Sequence, residues 1–351
     1  MFGFSVYLNQ ALDNDTLVYI NSMKRAGFGG VFTSLHIPED DANVLADRLA
    51  ALQAACAKAE LTLTADVSRT GLARMGVDFT DPAALRKLGV SCLRLDYGFT
   101  NAEIAQMSRV LPVALNASTL SADDLTALQV AGANRVNIEA WHNYYPRPET
   151  GLETSWYLAK NQWLHKQGIT TMGFVPGDGQ LRLPLKAGLP TLEKHRQMQP
   201  LAAALDLTQL ATDRIYIGDN TVTATTSNEF GSYLHDGVLT LEVAGSMPEA
   251  LRQVWHNRPD VARDVVRLEE SRARQVLATA AEPAFARPAG TITVDNTEYG
   301  RYAGEIQVTK VNLPADARVN VVGRLTAKSR ELLPYIGACQ AVTFVPAPEH
   351  D

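Results

Sequence analysis

Five carboxylates, Asp66, Asp96, Glu139, Asp178 and Asp219, stand at or near the ends of apolar runs. A carboxylate beside a buried core carries a desolvation cost, so it has either partners or a function. Two carboxyls flanking a glycosidic bond are what glycoside hydrolysis uses. One protonates the leaving oxygen while the other attacks the anomeric carbon or activates water. The candidates are Asp96 in Leu93-Arg-Leu-Asp-Tyr-Gly, Glu139 in Val136-Asn-Ile-Glu-Ala-Trp, and Asp66. The competing reading is a ring of ion pairs that ties down Arg94 and Arg147.

Two polar, proline-stiffened stretches follow later runs. The first is Glu139-Ala-Trp-His-Asn-Tyr-Tyr-Pro-Arg-Pro-Glu-Thr-Gly151, and the second runs from Gly177 to Arg196. Pro146, Pro148, Pro184 and Pro190 restrict the backbone, as suits a loop that must hold its side chains still. Arg147, Arg182, His195 and Arg196 sit on these loops. A guanidinium fork matches phosphate or carboxylate oxygens in two-point contact, which Lys does less well. Tyr7, Asn116, His142, Asp178 and Asp219 stand at the remaining run ends and are read as ligand contacts, with Ser34, His36 and Tyr97 nearby. Trp141, Tyr144 and Tyr145 are either sugar-stacking faces or core.

Other chemistries lack residues to carry them. There is no HxH, HExxH or cysteine cluster for a metal, no GxSxG for a serine nucleophile, and no GxGxxG after the first run. No Lys ends any run, which counts against a Schiff-base aldolase. No cofactor is expected. Cys56, Cys92 and Cys339 are widely spaced and odd in number, which fits reduced cytosolic thiols and a cytoplasmic protein. The first eight residues are apolar but lack a basic flank and soon meet Asp13 and Asp15, so they read as a buried strand instead of a signal peptide or membrane span. A formal net charge of −6 argues against a nucleic-acid partner. An anionic ligand must therefore be held by local cations.

The elements that position these groups form a regular series. Apolar runs occur at Phe2–Leu8, Gly29–Leu35, Leu61–Ser68, Cys92–Tyr97, Pro112–Ser118, Arg135–Trp141, Thr170–Val175 and Arg214–Gly218. Helical patterns lie between them: residues 14–26, residues 41–58 with Asp40 or Asp41 as N-cap, a helix capped by Ser121 with Asp123 and Asp124 in its first turn, and residues 152–167 and 198–211. Eight buried strands alternating with helices predict a (β/α)8 TIM barrel over residues 1–235, with a doubly wound sheet as the alternative. From residue 236 to 351 the pattern becomes β-rich, with strands expected at Val238–Val243, Thr291–Val294, Glu305–Val311 and Arg318–Val322. Residues 247–255 and 259–276 read as helix-like. A hydrophobic content of 46% with 20% charged residues suits two globular domains.

Several longer phrases carry a resemblance. They are Phe32-Thr-Ser-Leu, Ala65-Asp-Val-Ser, Leu93-Arg-Leu-Asp-Tyr-Gly-Phe, Leu115-Asn-Ala-Ser, His142-Asn-Tyr-Tyr-Pro-Arg-Pro-Glu-Thr-Gly-Leu, Gly188-Leu-Pro-Thr-Leu-Glu-Lys-His-Arg and Asp295-Asn-Thr-Glu-Tyr-Gly-Arg-Tyr-Ala-Gly-Glu. Through them the chain resembles, over its full length, a bacterial family of 6-phospho-N-acetylmuramidases. The resemblance implies a barrel followed by a cyclophilin-like β domain. It also implies cleavage, during cell-wall recycling, of a disaccharide of 6-phospho-N-acetylmuramic acid and N-acetylglucosamine. That ligand is an anionic amino sugar with a 6-phosphate and a lactyl carboxylate, for which the Arg and His residues are the expected contacts. Tyr299, Arg301 or Tyr302 would then reach over the barrel mouth. Arg182-Leu-Pro-Leu departs from the family pattern, in which a glycine is expected in place of Leu183. The rival functions are a non-catalytic phosphosugar-binding regulator, a barrel isomerase or aldolase, and a prolyl isomerase or scaffold in the second domain, since fold alone does not set function.

Overall fold

In the computed structural model of this protein, residues 1–35 and 42–347 are described. His36 and the N-cap candidates Asp40 and Asp41 lie outside them. The first eight strands are β1 (Phe2–Ser5), β2 (Gly30–Ser34), β3 (Thr62–Val67), β4 (Cys92–Leu95), β5 (Val113–Asn116), β6 (Ile138–Trp141), β7 (Thr170–Val175) and β8 (Arg214–Ile217). Each pairs in parallel with the next and β8 closes on β1, so the expected barrel is present. Helices Asn14–Arg25, Ala42–Lys58, Ala122–Val130, Thr154–Lys166 and Pro200–Gln209 fall where the apolar spacing placed them. Ser121 caps its helix as read, in a reciprocal capping box with Asp124.

Period-two alternation decides what faces the barrel axis. Phe32, Cys92, Ala114, Trp141, Met172, Phe174 and Tyr216 form one buried cluster, against which Tyr7 and Tyr144 pack. Each aromatic ring withdrawn from water contributes roughly 1.5–3 kcal/mol, so this plug is a main source of barrel stability. Tyr216 fits because two neighbours have no side chain. A methyl group at Gly3 would fall inside the Tyr216 ring, and one at Gly30 would meet its hydroxyl. Two residues on from Phe32, Cys92, Trp141 and Met172, the side chains of Ser34, Arg94, Asn143 and Phe174 line the C-terminal mouth.

The chain divides into two compact units, Met1–Ser227 and Asn228–Asp351. The second unit holds β9 (Val238–Val243), β10 (Trp255–His256), β11 (Val265–Arg267), β12 (Thr291–Asp295), β13 (Ile306–Thr309), β14 (Val319–Arg324) and β15 (Ala341–Pro346). They form a three-stranded sheet in the order β10-β15-β9 and a four-stranded sheet in the order β11-β13-β12-β14. The helix-like reading of 247–255 and 259–276 is corrected here. Val266 is fully buried between half-buried Val265 and Arg267, as on a strand, and β11 pairs with β13. Only the turns Glu249–Leu251 and Ser271–Arg274 are helical. No described helix is long and apolar enough to cross a membrane.

Candidate active site

At the C-terminal mouth of the barrel a cleft of about 280 Å³ is lined by Phe32, Ser34, Asp66, Arg94, Asp96, Asn143, Tyr144, Phe174 and Arg182. Asp66 and Arg94 face each other across paired strands β3 and β4, and Arg94 donates to Asp66 at 2.6 Å. Both are buried, at 7% and 3% exposure. Arg94 also donates to Asn143 Oδ1 and approaches Asp96 at 3.9 Å. Asp96 follows Arg94 by two residues, just past the end of β4, and its side chain is 29% exposed. The mouth therefore holds one carboxylate locked to a buried guanidinium and a second, more open one beside the same cation. On the far wall Arg182 lies with its guanidinium carbon 3.5 Å from the centre of the Tyr7 ring and donates to the Tyr144 hydroxyl at 2.6 Å. Tyr7 in turn donates to the carbonyl of Gly218, and burial pushes its phenol well above the ordinary range.

The loops after β6 and β7 are laced into one ledge. Leu152 bridges Leu192 in parallel, Tyr145 donates its N–H to Pro190, and Thr191 Oγ1 donates to the carbonyl of Asn143 at 2.8 Å. Glu193 accepts the N–H groups of Glu149 and Gly151 and is gripped twice by Arg196 at 2.6 Å. Hydrogen bonding from Arg196 holds the Glu193 carboxyl down at about 2. Buried His195 shares its Nε2 with Asp206 at 2.8 Å. Burial pushes the imidazole below its ordinary value and outweighs that carboxylate. Asp219 is 1% exposed and accepts three backbone N–H groups, those of Gly177, Arg182 and Leu189.

Comparison with known families decides the lineage of this arrangement. A family model described as 6-phospho-N-acetylmuramidase, N-terminal, matches residues 2–232, and its C-terminal counterpart matches residues 239–345. The chain belongs to the 6-phospho-N-acetylmuramidase family. The family name is that of a glycosidase. A solved structure of an Enterococcus faecalis protein of unknown function is 43% identical, with a TM-score of 0.92, covering 99% of this chain and 96% of its own. An uncharacterized Bacillus cereus protein is 25% identical, with a TM-score of 0.74, over 98% of this chain and 99% of its own. Among proteins of curated function no match is found.

Of the residues singled out from sequence, Asp66, Asp96 and Arg182 line one cleft, with Tyr7 beneath Arg182. Glu139 is a correction. Arg135–Asn137 turn in a 3-10 helix, so β6 starts at Ile138 and Glu139 takes its first inward position, at the opposite end of the barrel from the mouth. There it accepts from Arg214 at 2.6 Å and from the Trp141 indole at 2.8 Å. Glu139→Gln is accordingly expected to cost about 1–3 kcal/mol of stability, with kcat close to that of the parent. A collapse of kcat at unchanged stability would return Glu139 to the catalytic candidates.

The other assignments divide by what each side chain touches. Trp141 is fully buried in the plug and offers no stacking face. His142 is fully buried between Asn161 and Ser118, and burial lowers its pKa to about 4, so it is neutral and structural. Arg196 and His195 hold the ledge, Asp219 holds the loop, and none of the three lines the cleft. Asp178 accepts from Thr223 and Thr226 at the start of helix Ala224–Asp236. Asn116 accepts the N–H of Ser118 in a turn. Arg147 is exposed, off the cleft, and contributes its carbonyl to Thr150 and Arg196. Within the second unit, exposed Arg301 donates to Tyr302 at 2.8 Å.

Tyr144, expected from sequence as either a sugar-stacking face or core, lines the cleft, and Asn143 is a cleft residue not expected as a contact. Asn143 follows Glu139 and Trp141 at steps of two, and this parity was the available signal.

Proposed function

We propose that the chain hydrolyses the glycosidic bond between 6-phospho-N-acetylmuramic acid and N-acetylglucosamine, as a step of cell-wall recycling. The observation that carries this reading is the pair Asp66 and Asp96, both approaching Nη1 of Arg94 at the barrel mouth, in a chain of a glycosidase family. Asp96, the more open carboxyl, serves as general acid: it gives its proton to the leaving oxygen as the bond to the anomeric carbon breaks. Asp66 is held at 2.6 Å by Arg94 and is poorly placed to leave that pair and attack. The attack then falls to the 2-acetamido oxygen of the substrate, which bonds to the anomeric carbon as the leaving oxygen departs, with Asp66 orienting Arg94 and balancing positive charge developing on the sugar. Water then attacks the anomeric carbon, its bond to the acetamido oxygen breaks to restore the acetamide, and the water gives up a proton to Asp96.

The test is release of N-acetylglucosamine from the phosphorylated disaccharide, measured beside its unphosphorylated twin. Release from the phosphorylated sugar alone is the expected result. Tight binding of that sugar with no release would overturn the hydrolase in favour of a phosphosugar-binding regulator.

A further inference from the structure

Four charged side chains line the cleft: Asp66, Asp96, Arg94 and Arg182. Arg94 is answered by both carboxylates. Arg182 is different. Its side chain meets the Tyr144 hydroxyl and the faces of Tyr7 and Tyr144, and no carboxylate among the described residues pairs with it. Asp219 binds the Arg182 backbone and spends its other oxygen on Gly177 and Leu189. A half-buried guanidinium without a counter-charge bears a desolvation cost that a bound anion would relieve. The Tyr144 hydroxyl, accepting from Arg182, has no acceptor of its own among the described residues, so its O–H remains to donate.

We infer that Arg182 and Tyr144 together read an anionic oxygen cluster on the ligand, and that Tyr7 and Asp219 are positioning residues that hold the guanidinium in place. The identity of the sugar rests on the proposed function, whereas the binding of an anion does not. The phosphate and the lactyl carboxylate share the chemistry that Arg182 recognises, and the two are separable by ligand. Calorimetric titration would compare N-acetylglucosamine 6-phosphate, which has only the phosphate, with N-acetylmuramic acid, which has only the carboxylate.

Arg182→Gln is expected to weaken one of the two roughly 10- to 100-fold and spare the other, as loss of a charge-assisted pair of hydrogen bonds should. Tyr144→Phe keeps the ring and should weaken the same ligand about 3- to 10-fold, which guards against a failure of Arg182→Gln to fold. The ligand affected names the source of the anion. Unchanged affinities, equal losses for both ligands, or no binding of either by the wild-type chain would overturn the inference. Anion binding through Arg182 without release of N-acetylglucosamine from the disaccharide would instead sink the hydrolase and leave this site standing.

Discussion

Asp96→Asn is expected to lower kcat by roughly 10²- to 10⁴-fold, the usual contribution of a positioned general acid or base, while the phosphorylated disaccharide still binds. The amide keeps the shape of the carboxyl but has no proton to give the leaving oxygen. The position favours such a role, because Asp96 is partly exposed to the cleft and stands 3.9 Å from Arg94, outside the short pair that commits Asp66. A substrate with a better leaving group, such as an aryl glycoside of the phosphorylated sugar, should suffer less, since its departure requires less protonation. Equal losses on both substrates would show that Asp96 acts elsewhere in the reaction. An unaltered kcat would remove it from the mechanism.

Arg94→Met is expected to destabilise the barrel by about 3–5 kcal/mol, because it strands the buried Asp66 carboxylate without its partner. That is much of the stability a natural domain possesses. Adding Asp66→Asn to Arg94→Met should recover part of the loss, since the second change removes the uncompensated charge. Chemical denaturation of the two single variants and the double variant would measure the coupling. Additive losses would mean that the 2.6 Å contact contributes little to folding and that the pair is retained for the cleft alone.

The barrel was legible because each parallel strand is buried on both faces and reads as an unbroken apolar run, while the helices between them keep their own period. Legibility ended where a run changes conformation without changing composition. Arg135-Val-Asn looks like the start of a strand, yet it turns, and those three residues shift Glu139 from the mouth to the floor. In the second unit, short strands such as Val265–Arg267 are too brief to show a period. Cations posed a separate difficulty. Arg182 and Arg196 are alike as letters on stiff loops, but Arg196 has Glu193 three residues away, a pairing that local sequence could suggest. The isolation of Arg182 depends on Tyr7, which lies 175 positions earlier, and on no carboxylate arriving from elsewhere among the described residues.

The vacant Cβ positions under Tyr216 have a consequence for how this barrel can diverge. Gly3, Gly30 and Tyr216 lie on three adjacent strands, and the phenol occupies the volume that two side chains would otherwise fill. Descendants of this sequence cannot exchange the three positions independently. An alanine at 3 or 30 becomes admissible only after 216 shrinks, and a smaller residue at 216 leaves a void until a glycine is replaced. Variation at these three sites should therefore appear as linked trios across relatives, with the large residue migrating around the axis while the total filled volume stays constant.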